Sequence, residues 1–156
     1  VWVVAPETEQ SGASHSLTLH APLRLRDAGK NKWAVQGTPT DCVMMAIRHV
    51  MADNPPDLVL SGVNRGANLG EDVTYSGTCA GAREGTMLGI PSIALSLVVA
   101  MNKPAKWDTP RKFAPDLIRS LLKAGWAANT IVSVNFPDLP PEEVKGIDVV
   151  GLARRK

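Results

Sequence analysis

Cysteine is scarce in this chain: Cys42 and Cys79 are the only two in 156 residues, and both fall in predicted helices without metal-ligand spacing. That argues against a disulfide framework or a thiolate metal centre, and reads as two buried thiols in a reducing compartment. No apolar run approaches the roughly 18 residues needed to span a bilayer, and no secretory leader is visible. Charge of one sign is lacking too. The net charge is +2, with basic residues scattered except for Arg154-Arg155-Lys156, which reads as a solvated end. Neither a nucleic-acid polymer nor a membrane is therefore an expected partner, and the expected location is cytoplasmic. Repeats and low-complexity tracts are absent. Two nucleotide-binding signatures are missing as well: no Gly-Lys-Ser/Thr closes a Walker A loop, and there is no GxGxxG.

What remains is a chain that is 44% hydrophobic and 21% charged, ordinary for a globular protein and long enough to bury a core as one domain over residues 1–156. Short apolar runs alternate with helical patterns. Val1-Trp2-Val3-Val4, stopped by Pro6, reads as a buried strand. Partial alternation over 17–26 and 33–36, around the turn-rich stretch 27–32, predicts an antiparallel excursion. Thr38-Pro39-Thr40-Asp41 is a helix start: Thr38 can cap, Pro39 suits the first helical position, and Asp41 completes a capping-box spacing. Val43, Ile47 and Val50 carry that helix to Asn54-Pro55-Pro56. Strands are expected over 57–61, 90–97, 130–136 and 144–152. Helices are expected over about 78–88 and from Pro110 or Pro115 to Lys123, with Gly125 in the C-terminal cap position. Strands apolar on both faces and alternating with helices predict an α/β, Rossmann-like three-layer domain with a mostly parallel sheet.

The segment Ser61–Thr78, SGVNRGANLGEDVTYSGT, joins a predicted strand to a predicted helix. Its glycines and near-absence of bulk suit a backbone that closely approaches a ligand, and strand-to-helix loops at the carboxyl edge of a parallel sheet are where such folds bind ligands. The same edge receives the loop holding Ser11. Ser76, Gly77 and Thr78 open a helix whose unpaired N–H groups and positive dipole end suit an anion, although Ser76 can equally be an ordinary cap. Asn64 and Asn68 offer carboxamide oxygens to a hard cation or N–H groups to phosphate; asparagines also populate turns for conformational reasons alone. Ser11 is a candidate hydroxyl ligand or a turn residue, and His15 a general acid or a plain loop histidine. Without a visible carboxylate partner the plain reading of His15 is favoured. His20 and His49 carry no signal. Glu71 and Asp72 read as solvated acids, and Arg83-Glu84 as a charge pair on the helix surface.

Taken in order, Val4-Ala5-Pro6, Gln10-Ser11-Gly12-Ala13, Gly37 to Cys42, Ser61 to Gly70, Tyr75 to Thr78, Gly89 to Ala94 and Asn135 to Pro140 resemble the SurE family of survival proteins, which act as 5′/3′-nucleotidases. The resemblance covers nearly the whole chain. It implies a homodimer or homotetramer and metal-dependent hydrolysis of nucleoside monophosphates, with polyphosphate as a further candidate substrate. It also implies one Mg²⁺ or Mn²⁺ ion held by two adjacent aspartates, a serine and an asparagine. Ser11 and Asn64 match the last two, while Asn68, Ser76, Gly77 and Thr78 match the phosphate contacts.

The paired aspartates of that family stand in an Asn-Asp-Asp-Gly motif that does not occur here, so no catalytic residue is identified in this chain. Two neutral ligands cannot replace two carboxylates around a hard dication. The expectation is a SurE-like core without its first βα unit, on the order of 30 residues, and without a C-terminal extension. The chain alone is expected to be inactive or weakly active. The alternative is a non-catalytic nucleotide- or phosphate-binding module.

Overall fold

A computed structural model describes residues 1–101 and 103–153; the basic run Arg154-Arg155-Lys156 lies outside the described residues. Six strands form two three-stranded sheets rather than the one sheet expected. The first contains β1 (Val3–Pro6), β2 (Arg24–Asp27) and β3 (Lys32–Gln36), in the order β1-β3-β2. β1 runs parallel to β3, whereas β2 is antiparallel to it, which is the excursion predicted from the turn at 27–32. The second contains β4 (Val59–Arg65), β5 (Ser92–Leu97) and β6 (Val132–Phe136) in the order β4-β5-β6, all parallel. Among the described residues β1 pairs only with β3, and β4 only with β5, so each sheet ends on an open edge.

The helices are α1 (Pro39–Met45), which continues as a π-helical turn over Ala46–Val50, the short α2 (Asp72–Tyr75), α3 (Gly77–Met87) and α4 (Asp108–Ala124). The predicted capping box at α1 is present: Asp41 N–H donates to Thr38 Oγ1 at 3.2 Å, and Thr38 N–H donates to Asp41 Oδ2 at 2.8 Å. Gly125, with φ +70°, stands at the C-cap of α4.

The second sheet is the three-layer body. All six residues of β5 are buried, as a central strand covered on both faces should be. Ile93, Leu95 and Leu97 face α4 and pack with Phe113, Leu117 and Leu121, whereas Ala94 packs with Cys79 and Ala82 of α3. The α3 interface is unusually close. A Cβ on Gly81 would lie 2.8 Å from Ser61 Oγ, and one on Gly85 would run into Ser92 Oγ. The first sheet departs from the expectation of strands buried on both faces: Val35 is fully buried, on the same face as Val4 and Pro6 of β1, while Val3 and Ala5 on the other face are exposed. The strand expected over 144–152 is not formed. Its Ile147, Val149, Val150 and Leu152 stay exposed, since a strand pattern needs a sheet edge to pair with and this segment joins none.

No described helix is long and apolar enough to cross a membrane.

Candidate functional site

Three chain segments meet at the carboxyl edge of the strands. The first is β4 with the loop after it. Asn64 lies opposite Ser96 in the β4–β5 register, which puts both on the α3 side of the sheet. Its Nδ2 donates to the Gly66 carbonyl at 3.0 Å, which leaves its Oδ1 open to a ligand. Two residues earlier Gly62 adopts φ +129°, where a Cβ would collide with the Leu95 carbonyl; only glycine lets β4 bend there beside β5.

Asn68 is 6% exposed and turned inward. Its Nδ2 donates to Ser96 Oγ at 2.7 Å, its backbone N–H donates to Asn135 Oδ1 at 2.8 Å, and Asn135 Nδ2 returns a bond to the Asn68 carbonyl at 3.1 Å. Asn68 therefore latches the loop to β5 and β6, with its Oδ1 and second amide hydrogen left for a ligand. Ser96 and Asn135 are functional positions that no local sequence motif for a ligand site marks. The signal for Asn135 was its position at the end of a strand, in Asn-Phe-Pro-Asp, at the same sheet edge.

The second segment is the start of α3. Ser76 does cap the helix, accepting from Cys79 N–H at 3.1 Å. Its own hydroxyl hydrogen remains available, and so do the first-turn N–H groups of Gly77 and Thr78, which have no carbonyl behind them in the helix. A Cβ on Gly77 would lie 3.1 Å from Pro39 Cγ and 3.9 Å from the Gln10 carbonyl. Gly77 thus sits where α1, α3 and the loop after β1 converge.

That loop is the third segment. Ser11 is exposed and donates to Glu9 Oε1 at 2.8 Å. Beyond it the loop is fastened to its neighbours at four places. Ser14 Oγ bonds the Thr74 carbonyl at 3.3 Å, Thr38 Oγ1 donates to the Ser16 carbonyl at 2.7 Å, and Thr18 bonds Asp41. The fourth is His15 Nε2, 3.1 Å from Glu84 Oε2. This corrects two expectations. His15 has a carboxylate partner, hidden in the sequence because it lies 69 residues away on α3. Arg83-Glu84 is not a surface pair: Glu84 turns to His15, and Arg83 donates to the Val73 carbonyl at 2.5 Å.

Buried Asp41 anchors the arrangement. Burial pushes its carboxyl up, but hydrogen bonds from the Thr18 side chain and from the backbone of Thr38 and Thr18 outweigh that and hold it below the ordinary value. The neighbouring Cys42 thiol is pushed up to about 12 by burial and by the Asp41 charge, so it stays protonated and is no nucleophile.

The fit to a divalent cation can be judged from the donors. Ser11 and Asn64 bring two neutral oxygens, and among the described residues no three His, Cys, Asp or Glu side chains gather into a metal-holding group. Hard dications are held by carboxylates. The residues present do not by themselves make a metal centre.

Comparison with known proteins now bears on this geometry. The family model described as Survival protein SurE matches residues 1–156. A protein named 5′-nucleotidase SurE from Paramagnetospirillum magneticum is 57% identical over 156 residues, covering 100% of this chain and 60% of the relative. One of the same name from Azorhizobium caulinodans is 58% identical over 158 residues, covering 99% of this chain and 62% of the relative. The crystal structure of the SurE protein from Aquifex aeolicus superposes with a TM-score of 0.89 at 44% identity, covering 98% of this chain and 61% of that one. The chain thus spans about three-fifths of the length of the relatives it matches.

Proposed function

Since this chain belongs to the SurE family, we propose that it is the core of a metal-dependent phosphomonoesterase. The reaction would release phosphate from nucleoside 5′-monophosphates, and from 3′-monophosphates. The observation that carries the reading is the convergence of Asn64, inward-turned Asn68 and the start of α3 on one side of one sheet edge, with Gly77 letting α3 start close against Pro39 of α1 and the loop of Gln10.

In this reading the phosphoryl group sits against the first turn of α3. The N–H groups of Gly77 and Thr78 and the hydroxyls of Ser76 and Thr78 donate to its oxygens, and the helix dipole favours its charge. These donors are fixed before substrate arrives, so they need no reorganisation as charge develops on the phosphoryl oxygens. Asn68 holds the loop through Ser96 and Asn135, which keeps Asn64 and α3 in register. Ser11 and Asn64 are two neutral members of a donor set whose carboxylates would come from another segment of the whole protein. The open edges of β1 and β4 support that placement: α1 packs on β1 and on α3, and α3 packs on β4, so both edges lie beneath one pair of helices. Mg²⁺ or Mn²⁺ is the proposed ion, and a homodimer or homotetramer the proposed assembly.

The test is phosphate release from AMP, CMP and 3′-AMP with Mn²⁺, by this chain and by the whole-length protein. The whole-length protein is expected to turn over and this chain to be at least about a hundredfold slower, the scale on which loss of essential charge stabilisation is felt. Equal rates would overturn the need for outside carboxylates; no release by either would overturn the nucleotidase reading. The neutral donor set favours one second reading, a non-catalytic phosphate-binding module, which predicts nucleotide binding without metal by titration calorimetry.

A further inference from the structure

A cleft of about 460 Å³ opens beside the phosphate-binding turn, lined by Gln10, Thr18, Ala21, Pro22, Arg24 and Gln36 together with Gly37 and Thr38. Its volume lies within the range of small-molecule sites. It adjoins the site just described through two residues: the Gln10 carbonyl faces Gly77, and Thr38 precedes the Pro39 ring that also faces Gly77. A phosphate held at the start of α3 would therefore leave its ester substituent at the mouth of this cleft.

The walls are of two kinds. Ala21 and Pro22 present an apolar surface against which a flat ring can lie. Opposite in chemistry are Arg24 and Gln36, which are cross-strand neighbours in the antiparallel β2–β3 register, on the face away from buried Val35. Both are exposed, and neither side chain has a hydrogen-bond or ion-pair partner among the described residues. Two uncommitted planar side chains are thus held side by side by the sheet. The other polar groups of the wall are already committed: Thr18 Oγ1 donates to Asp41, Gln10 Nε2 to Thr8, and Thr38 Oγ1 to Ser16.

We infer that this cleft is the nucleoside subsite and that Arg24 and Gln36 read the imidazole edge of a purine. A carboxamide can bond the N6 amino group and N7 of adenine together, and a guanidinium can bond O6 and N7 of guanine together. Pyrimidines present no N7, so each side chain loses one bond of its pair on them. The inference rests on the nucleotidase reading above and adds to it a base class and two specificity residues.

The experiment uses the whole-length protein and compares kcat/KM for AMP, GMP, CMP and UMP with that for ribose 5-phosphate, which carries no base. The intact protein is expected to favour purine over pyrimidine nucleotides about tenfold, the size of one bidentate base contact. Gln36→Ala is expected to reduce the AMP to ribose 5-phosphate ratio about tenfold through KM, with kcat for AMP changing less than about twofold. Arg24→Ala is expected to do the same for GMP. Arg24→Lys should also lose the GMP preference, since an ammonium keeps the charge but not the fork. Ratios unchanged in all three variants, with phosphate still released, would overturn the subsite and leave the nucleotidase reading standing. Full GMP preference in Arg24→Lys would overturn the base-reading role of Arg24 in favour of simple charge attraction. No release from any nucleotide by the intact protein would remove the reading and this inference with it.

Discussion

Three hydrogen bonds end on the Asp41 carboxylate, from Thr18 N–H, Thr18 Oγ1 and Thr38 N–H. The spacing Thr38–Asp41 announced only the last, as part of a helix cap. The bonds from Thr18 cross 23 residues and depend on how the loop folds, so no local pattern contained them. Because hydrogen bonding holds the folded carboxyl below its ordinary value of 3.8, its contribution to stability is present above that value. The contribution is lost as pH falls toward and through the lower folded value. Asp41→Ala is therefore expected to lower stability by roughly 3 kcal/mol at pH 7, because buried donors lose their acceptor. The gap from the intact chain should narrow as the pH is taken below the carboxylate range. Urea denaturation at the two pH values measures both, and a gap that widens in acid would contradict the sign. At the same scale His15 shows how a partner can be hidden. Its carboxylate, Glu84, lies on the flank of α3, and adjacency to Arg83 in sequence suggested a different pairing.

Among the elements, α3 sets the site because it lies so close to the sheet. Gly81, Ala82 and Gly85 face Ser61, Ala94, Ser92 and Val59, so small residues on both surfaces bring the helix start level with the ends of β4 and β5. Helix propensity alone predicts that Gly85→Ala gains about 1 kcal/mol. Overpacking wins instead, at about 1–3 kcal/mol, because the new Cβ would meet Ser92 Oγ and lie 2.9 Å from Val59 Cγ2. A net loss of about 1–2 kcal/mol, seen as a lower urea midpoint at unchanged slope, is the expected result; a higher midpoint would contradict the close packing. The elements themselves were largely legible. Capping residues and Gly/Pro punctuation marked α1, α3 and α4, and β5 and β6 fall within the strands expected over 90–97 and 130–136. Two readings failed for tertiary reasons. Residues 144–152 have the apolar content of a strand but no edge to pair with, and the strands do not form one sheet. Pairing is a property of neighbours, which no single segment encodes.

For the molecule as a whole, the open edges of β1 and β4 matter most. A long unpaired edge exchanges its amide hydrogens readily and invites another strand. Hydrogen exchange is expected to be fast at the edge-facing amides of β4 in this chain and slow at the same positions in the whole-length protein. Equal protection in both would contradict the strand-insertion proposal. The site was legible in part. The loop Ser61–Thr78 was recognisable from its glycines and its place after a strand, whereas Ser96, Asn135 and the cleft proposed for the base depend on residues that only folding brings together. We propose that phosphate seats at the first turn of α3, on the N–H groups of Gly77 and Thr78 and on the Thr78 hydroxyl. Thr78→Val in the whole-length protein removes that hydroxyl at nearly constant volume, and is read as phosphate release from AMP alongside thermal melting. A fall in kcat/KM of about tenfold or more, with the melting temperature within a few degrees of the intact protein, is the predicted result. Turnover within twofold of the intact protein would contradict it.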